Sequence, residues 1–199
     1  MKKLVALFIL VSASIFVAFT LLPEKKVVFI DVGHGGKDTG ASYEGVSEKD
    51  INLKVAEKLV KLNTDKHLEI VLNRTSDAFI TLEERVAKMK ALSPDLMVSL
   101  HSNLSQNLSF QGIELYYPNK DNDNTADDLA LHFEQSLGAD YAVRAVNQAN
   151  FFVLKNAPCP AIMLEMGFLS NEKDRAVLTT ESGQEKMALG ILKSLKTQL

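Results

Sequence analysis

Short β-branched or aromatic runs alternate along this chain with longer stretches whose apolar residues recur at helical spacing, and that alternation restricts the fold more than any other feature. Residues 27–31 (VVFID) end in a glycine-rich turn and read as a buried strand. From about Glu48 to Leu62, the residues Ile51, Val55, Leu59 and Leu62 share one helical face, while Lys54, Lys58 and Lys61 lie toward water. Ser47 and Asp50 form the expected capping pair at its start. Leu68–Leu72 reads as a second strand, followed by a polar turn in which Arg74 and Asp77 are expected to pair. A helix over about Leu82–Leu92 stops before Pro94, and residues 96–101 and 112–117 read as further strands. Beyond a polar loop at 119–125, a helix runs through Leu129, Phe133 and Leu137. Residues 151–154 and 161–165 read as two more strands, and the last helix covers about 184–195. Without an internal repeat or a dividing linker, this order predicts a single α/β domain, with a mostly parallel or mixed central sheet of about six strands flanked by helices.

The start of the chain departs from this pattern. After Lys2 and Lys3, the nineteen residues 4–22 carry no charge, and Pro23 ends the run. A positive start followed by an apolar stretch predicts export of the remainder to the periplasm or cell envelope. Residues 1–23 are therefore either a signal peptide or an N-terminal membrane anchor, and 24–199 form the domain that carries the chemistry. Small residues at Val11-Ser12-Ala13 offer a cut, but one that would leave residues 15–22 as an apolar new terminus. The run is also close to the roughly 20 residues that span a bilayer. Against retention, only four residues separate Leu22 from the first strand, which would hold the domain close to the membrane. Both fates stay open.

Net charge is −3, and beyond Pro23 there remain 20 basic residues against 25 acidic ones. With no Trp and no basic cluster, that balance speaks against a nucleic-acid or anionic-membrane surface. Cys159, flanked by Pro158 and Pro160, is the one cysteine and reads as packed and inert. It excludes an internal disulfide and a cysteine-rich zinc site, so any metal must be held by histidine and carboxylate.

Four segments hold polar residues that a fold alone does not require. The loop Asp31-Val32-Gly33-His34-Gly35-Gly36-Lys37-Asp38-Thr39-Gly40 leaves an imidazole uncovered and lacks the GxGxxG and GxxxxGK[ST] phosphate patterns. Glu48 opens a helix, where the dipole alone favours an acidic side chain. His101 points away from the face of Leu96, Val98 and Leu100, at the carboxyl end of its strand. Glu165 ends the apolar run Ala161-Ile162-Met163-Leu164, a costly position for a carboxylate unless it is paired or bound to metal. His34, His101 and Glu165 each follow the carboxyl end of a predicted strand, the edge at which open α/β sheets form clefts. Two histidines and a carboxylate with an open position make a catalytic zinc set. His67, among Asp65, Lys66 and Glu69, and His132, near Glu134, read as solvated.

Taken in order, these segments resemble the zinc-dependent N-acetylmuramoyl-L-alanine amidase family. The matching pieces are VVFIDVGHGGKDTGA, EKDINL from Glu48, NRTSD from Asn73, LEERV from Leu82, DLMVSLHSN, GIELYY and AIMLEMGFLSN, covering the chain from about Val27 to its end. The resemblance implies that 24–199 are an amidase catalytic domain holding one zinc ion on His34, Glu48 and His101, with Glu165 as the catalytic glutamate. Glu48 thereby changes from a helix-start residue to a ligand. The implied reaction is hydrolysis of the amide between the lactyl group of N-acetylmuramic acid and the L-alanine of the peptidoglycan stem peptide. Asp31, near His34 in sequence, becomes the expected acceptor for a ligand imidazole. Lys90 stands where relatives often carry asparagine, at a position that is not a ligand. The short regions after His101 and Tyr117 imply an open site, without the covering helix that silences some relatives. Peptidoglycan is the implied partner, nucleic acid is not, and no activator is named by the sequence. A zinc peptidase acting on the stem peptide would share the same metal chemistry. A non-catalytic wall-binding protein would not need all four positions.

Overall fold

Strands that are apolar along their whole length need cover on both faces. In the computed structural model, which describes residues 24–119 and 125–199, that cover comes from two helical layers around a six-stranded sheet. In chain order the elements are β1 (Lys26–Val32), a small hairpin of β2 (Ser42–Tyr43) and β3 (Val46–Ser47), α1 (Glu48–Leu62), β4 (Leu68–Leu72) and α2 (Leu82–Leu92). There follow β5 (Leu96–Asn103), β6 (Ile113–Tyr117), α3 (Thr125–Gly138), β7 (Val143–Gln148), α4 (Phe152–Lys155), β8 (Ala161–Phe168), α5 (Glu172–Thr179) and α6 (Glu181–Gln198). The sheet order is β4-β1-β5-β8-β6-β7. Its first four strands are mutually parallel, while β6 runs antiparallel to β8 and parallel to β7.

The two-residue period of a strand sorts the side chains of β1, β5 and β8 between the layers. Val28, Ile30 and Val32, with Leu96, Val98 and Leu100 and with Ile162 and Leu164, join a core that includes Ile51, Val55 and Leu59 of α1 and Ile191, Leu192 and Leu195 of α6. Phe29, Met97, Ala161 and Met163 face the other way, onto Val86 and Met89 of α2 and Val153 and Leu154 of α4. The same period therefore sends Asp31, Ser99, His101 and Glu165 toward the α2 and α4 side.

Asp31 is buried there and accepts from Asn73 Nδ2 at 2.6 Å, Arg85 at 2.8 Å and Ser99 Oγ at 2.8 Å. Arg85 also donates to the carbonyls of Ile80, Val32 and His34. Asp31 thus braces the loop after β1 and does not orient an imidazole. That corrects the expectation drawn from its closeness to His34.

Other local expectations change as well. Residues 151–154 belong to no strand; 152–155 form the single turn α4. β7, the hairpin and α5 were not marked in the sequence. Ser47 occupies the N-cap of α1 without a side-chain capping bond, whereas Thr81 and Glu84 form a full capping box on α2. Arg74 does not pair with Asp77: it donates to the carbonyls of Val32, Gly33, Lys49 and Ser76, while Asp77 accepts from Lys49 Nζ and the Gly36 amide. His132 is half-buried and bonded to Ser194 and Thr197, tying α3 to α6. His67 is exposed and Cys159 buried, as expected. The apolar run 4–22 and loop residues 120–124 lie outside the described residues, among which no helix is long and apolar enough to cross a membrane.

Removing one partner of a buried ion pair leaves the other charge uncompensated and costs about 3–5 kcal/mol. Arg85→Met is expected to lower unfolding free energy by that order in urea titration. A loss below about 1 kcal/mol, the range of an exposed pair, would contradict the bracing role of Asp31.

Candidate metal centre

Because β1, β5 and β8 are parallel, their carboxyl ends meet at one edge of the sheet. His101 near the end of β5 lies in register with Glu165 on β8, and Glu165 in turn with Glu114 on β6. His34 follows β1 with φ at 60°, a left-handed conformation that costs energy for a residue with a side chain. Two glycines keep the space between the imidazoles and Glu48 clear. A Cβ on Gly33 would stand 2.5 Å from His101 Cε1. One on Gly40, at φ 62°, would stand 2.6 Å from His34 Cδ2 and closer still to Glu48 Oε2. Glu48 is the first residue of α1, so the hairpin before it sets where the carboxylate enters.

The Glu48 carboxylate is the hub. Oε1 meets His101 Nδ1 at 2.7 Å and accepts from the Ser102 amide at 3.1 Å. Oε2 meets His34 Nε2 at 3.2 Å and accepts from the Ala41 amide at 2.7 Å. His34 turns its Nδ1 to Asp38 Oδ2 at 2.8 Å, which leaves Nε2 facing the cluster. A carboxylate behind a ligating imidazole is the usual arrangement for fixing its tautomer. Asp38 fills that role here, and its four-residue spacing from His34 was the available signal. His34, Glu48 and His101 each offer one ligand atom, all within 4.8 Å of one another.

These contacts reset the acidities. Burial works against a charged His34, but the Glu48 and Asp38 carboxylates outweigh it and raise its pKa to about 9. Burial likewise opposes a charged Glu48, yet the two imidazoles hold it well below the usual carboxylate range. Glu165 goes the other way. Its burial raises the pKa to about 7, with His101 pulling down and Glu48 and Glu114 pushing up. Its Oε2 is buried with no hydrogen-bond partner. The set suggested by strand ends alone, two histidines with Glu165, thus gives way to two histidines around Glu48, with Glu165 standing by unpaired.

His34, His101 and Glu165 close one side of a cavity of about 410 Å³ on the α2 and α4 face. A two-histidine, one-carboxylate donor set with room beside it and a separate neutral-range carboxylate is the site class of metal-dependent hydrolases. Residues 28–197 match the N-acetylmuramoyl-L-alanine amidase family, and the chain belongs to it. It is 37% identical over 174 residues to the uncharacterized protein YqiI of Bacillus subtilis, covering 86% of this chain and 84% of that one. It is 34% identical to the N-acetylmuramoyl-L-alanine amidase LytC of the same organism over 83% of its own length, but spans only 34% of LytC. The crystal structure of an N-acetylmuramoyl-L-alanine amidase from Clostridium difficile 630 superposes with a TM-score of 0.82 at 34% identity, covering 87% of this chain and 96% of that chain.

Metal binding must displace the proton that His34 carries below about pH 9. Affinity for a divalent ion is therefore expected to rise with pH through neutrality and level off above about 9. The sign follows from the raised pKa: the protonated, ion-free pair is fully present below His34's ordinary value and is lost as pH rises through about 9. Calorimetric titration with zinc in buffers of different ionisation enthalpy reads the proton release. Affinity that stays flat from pH 6 to 9 would contradict it.

Proposed function

We propose that this chain is a zinc-dependent N-acetylmuramoyl-L-alanine amidase in which His34, Glu48 and His101 hold the ion and Glu165 moves the proton. Family membership fixes the reaction class as cleavage of the amide between N-acetylmuramic acid and L-alanine in peptidoglycan. The observation that carries the residue roles is the Glu48 carboxylate bridging two imidazoles, with Glu165 one strand position across from His101.

Zinc suits this nitrogen and oxygen donor set, and when bound it supplies Lewis acidity that polarises a carbonyl and lowers a water's pKa from 15.7 to roughly 7. The protein's share is positioning and proton traffic. Asp38 holds the His34 ring so that Nε2 faces the cluster. Glu165, with a pKa near 7 and an unsatisfied Oε2, can take a proton from the attacking water and return it to the leaving alanine nitrogen. A carboxylate fully ionised at neutral pH would be a poorer donor in the second step, and one held protonated a poorer acceptor in the first.

The reading of residues 1–23 as an export signal or anchor belongs to the same proposal. β1 begins with Lys26 at the sheet edge opposite the cluster. With a rise of about 3.3 Å per residue, its seven residues set the reactive edge roughly 20 Å from that end.

Glu165→Gln should retain zinc and lose about 10² to 10⁴-fold in rate, the usual worth of general acid–base help. The checks are metal content by atomic emission and release of free stem peptides from purified peptidoglycan by mass spectrometry. Near-normal turnover would remove Glu165 from the mechanism. In His34→Ala, loss of both zinc and activity is expected, and full zinc occupancy would contradict the ligand assignment.

A further inference from the structure

Four large apolar side chains left at water, Phe79, Leu82, Phe151 and Phe152, all line the one cavity that His34, His101 and Glu165 close on its polar side. Scattered exposed apolar residues need no explanation, but several gathered around one cleft mark a binding surface. The rings are braced. Phe151 meets the Tyr116 ring edge-on with centroids 5.4 Å apart, and the Tyr116 hydroxyl donates to Glu114 at 2.9 Å. Arg144 pairs with the other oxygen of Glu114. Across the cavity, Lys37 lies 4.4 Å over the Phe79 ring.

The charge of the lining narrows the ligand. Arg85 commits its guanidinium to Asp31 and to three carbonyls. His34 is engaged by Asp38 and Glu48, and His101 by Glu48. Apart from Glu165, the charged lining residues are thus engaged with one another or with backbone carbonyls, and the exposed rings are the part of the lining left to meet a ligand. Such rings favour a body with broad C–H faces over a strongly hydrated charged arm.

We propose that this aromatic shelf seats the N-acetylmuramoyl ring of the substrate and so decides which way the substrate crosses the metal centre. The inference rests on the amidase reading of the site. With its lactyl carboxyl tied up in the scissile amide, the sugar is uncharged and can pack its C–H faces against the rings of Phe151, Phe152 and Phe79. With the sugar on the rings, the stem peptide leaves from the opposite side of the metal centre.

The test compares two substrates that share the scissile amide. One is a disaccharide N-acetylmuramoyl peptide, and the other is the same peptide capped only with D-lactate. For the zinc-loaded double variant Phe151→Ala/Phe152→Ala, the ratio of kcat/KM between the sugar-bearing and lactyl substrates is expected to fall about tenfold or more, chiefly through KM. An unchanged ratio, whether both rates fall together or neither does, would overturn the shelf. Saturation-transfer NMR with the uncharged methylamide of N-acetylmuramic acid gives an answer independent of turnover. Contact between the sugar and aromatic protons of the unaltered protein should disappear in the double variant, and equal contact in both proteins would overturn the proposal. If the unaltered enzyme cleaves neither substrate, the amidase reading fails, while the NMR experiment still decides the shelf.

Discussion

A single carboxylate at the start of α1 organises the reactive edge. Glu48 is buried, a position that ordinarily drives a carboxyl toward its neutral form. It stays ionised because two imidazoles and two backbone amides converge on its oxygens, and the positive end of the helix favours the charge. Those donors come from distant parts of the chain. Ala41 lies before the hairpin, His34 after β1, and His101 and Ser102 near the end of β5. The seat of Glu48 therefore holds a loop, a helix and two strands in one mutual arrangement, and the spacing of the metal donors follows from it.

Sheet polarity supplies the second constraint. Parallel pairing of β1, β5 and β8 puts their carboxyl ends together, and the strand period turns His101 and Glu165 to the same side. Behind them, Asp31 gathers Asn73, Arg85 and Ser99 into a buried network that fixes the backbone leading to His34. The two faces of the sheet do different work. One holds the larger apolar core under α1, α3 and α6, and the other combines a smaller core with the open cleft.

Much of this was legible in the residues. The central strands showed as β-branched runs because they are buried on both faces, and α1 showed by its period. His101 was correctly turned away from Leu96, Val98 and Leu100. What escaped has physical reasons. The run Phe151-Phe152-Val153-Leu154 is too short for period to separate a strand from a helical turn. β7 is largely half-buried or exposed and lacks a clear apolar face, and β2 and β3 have two residues each. Residue chemistry alone placed Glu165 with the histidines, since all three follow strand ends. Nothing local distinguishes a ligand carboxylate at a helix start from one favoured by the dipole, so Glu48 emerged only through the family resemblance. Asp31 and Asp38 are both near His34 in sequence. Only the turn of the backbone at Gly33 and His34 decides that Asp38 reaches the ring and Asp31 does not.

The proposed chemistry requires one ion held where Glu48 meets the two imidazoles. Crystals of the zinc-loaded protein, measured on both sides of the zinc absorption edge, address this directly. A single anomalous peak is predicted at about 2.0–2.2 Å from a nitrogen of His34, a nitrogen of His101 and an oxygen of Glu48, with Glu165 outside bonding distance. A peak elsewhere, or one bonded to Glu165 in place of Glu48, would contradict it.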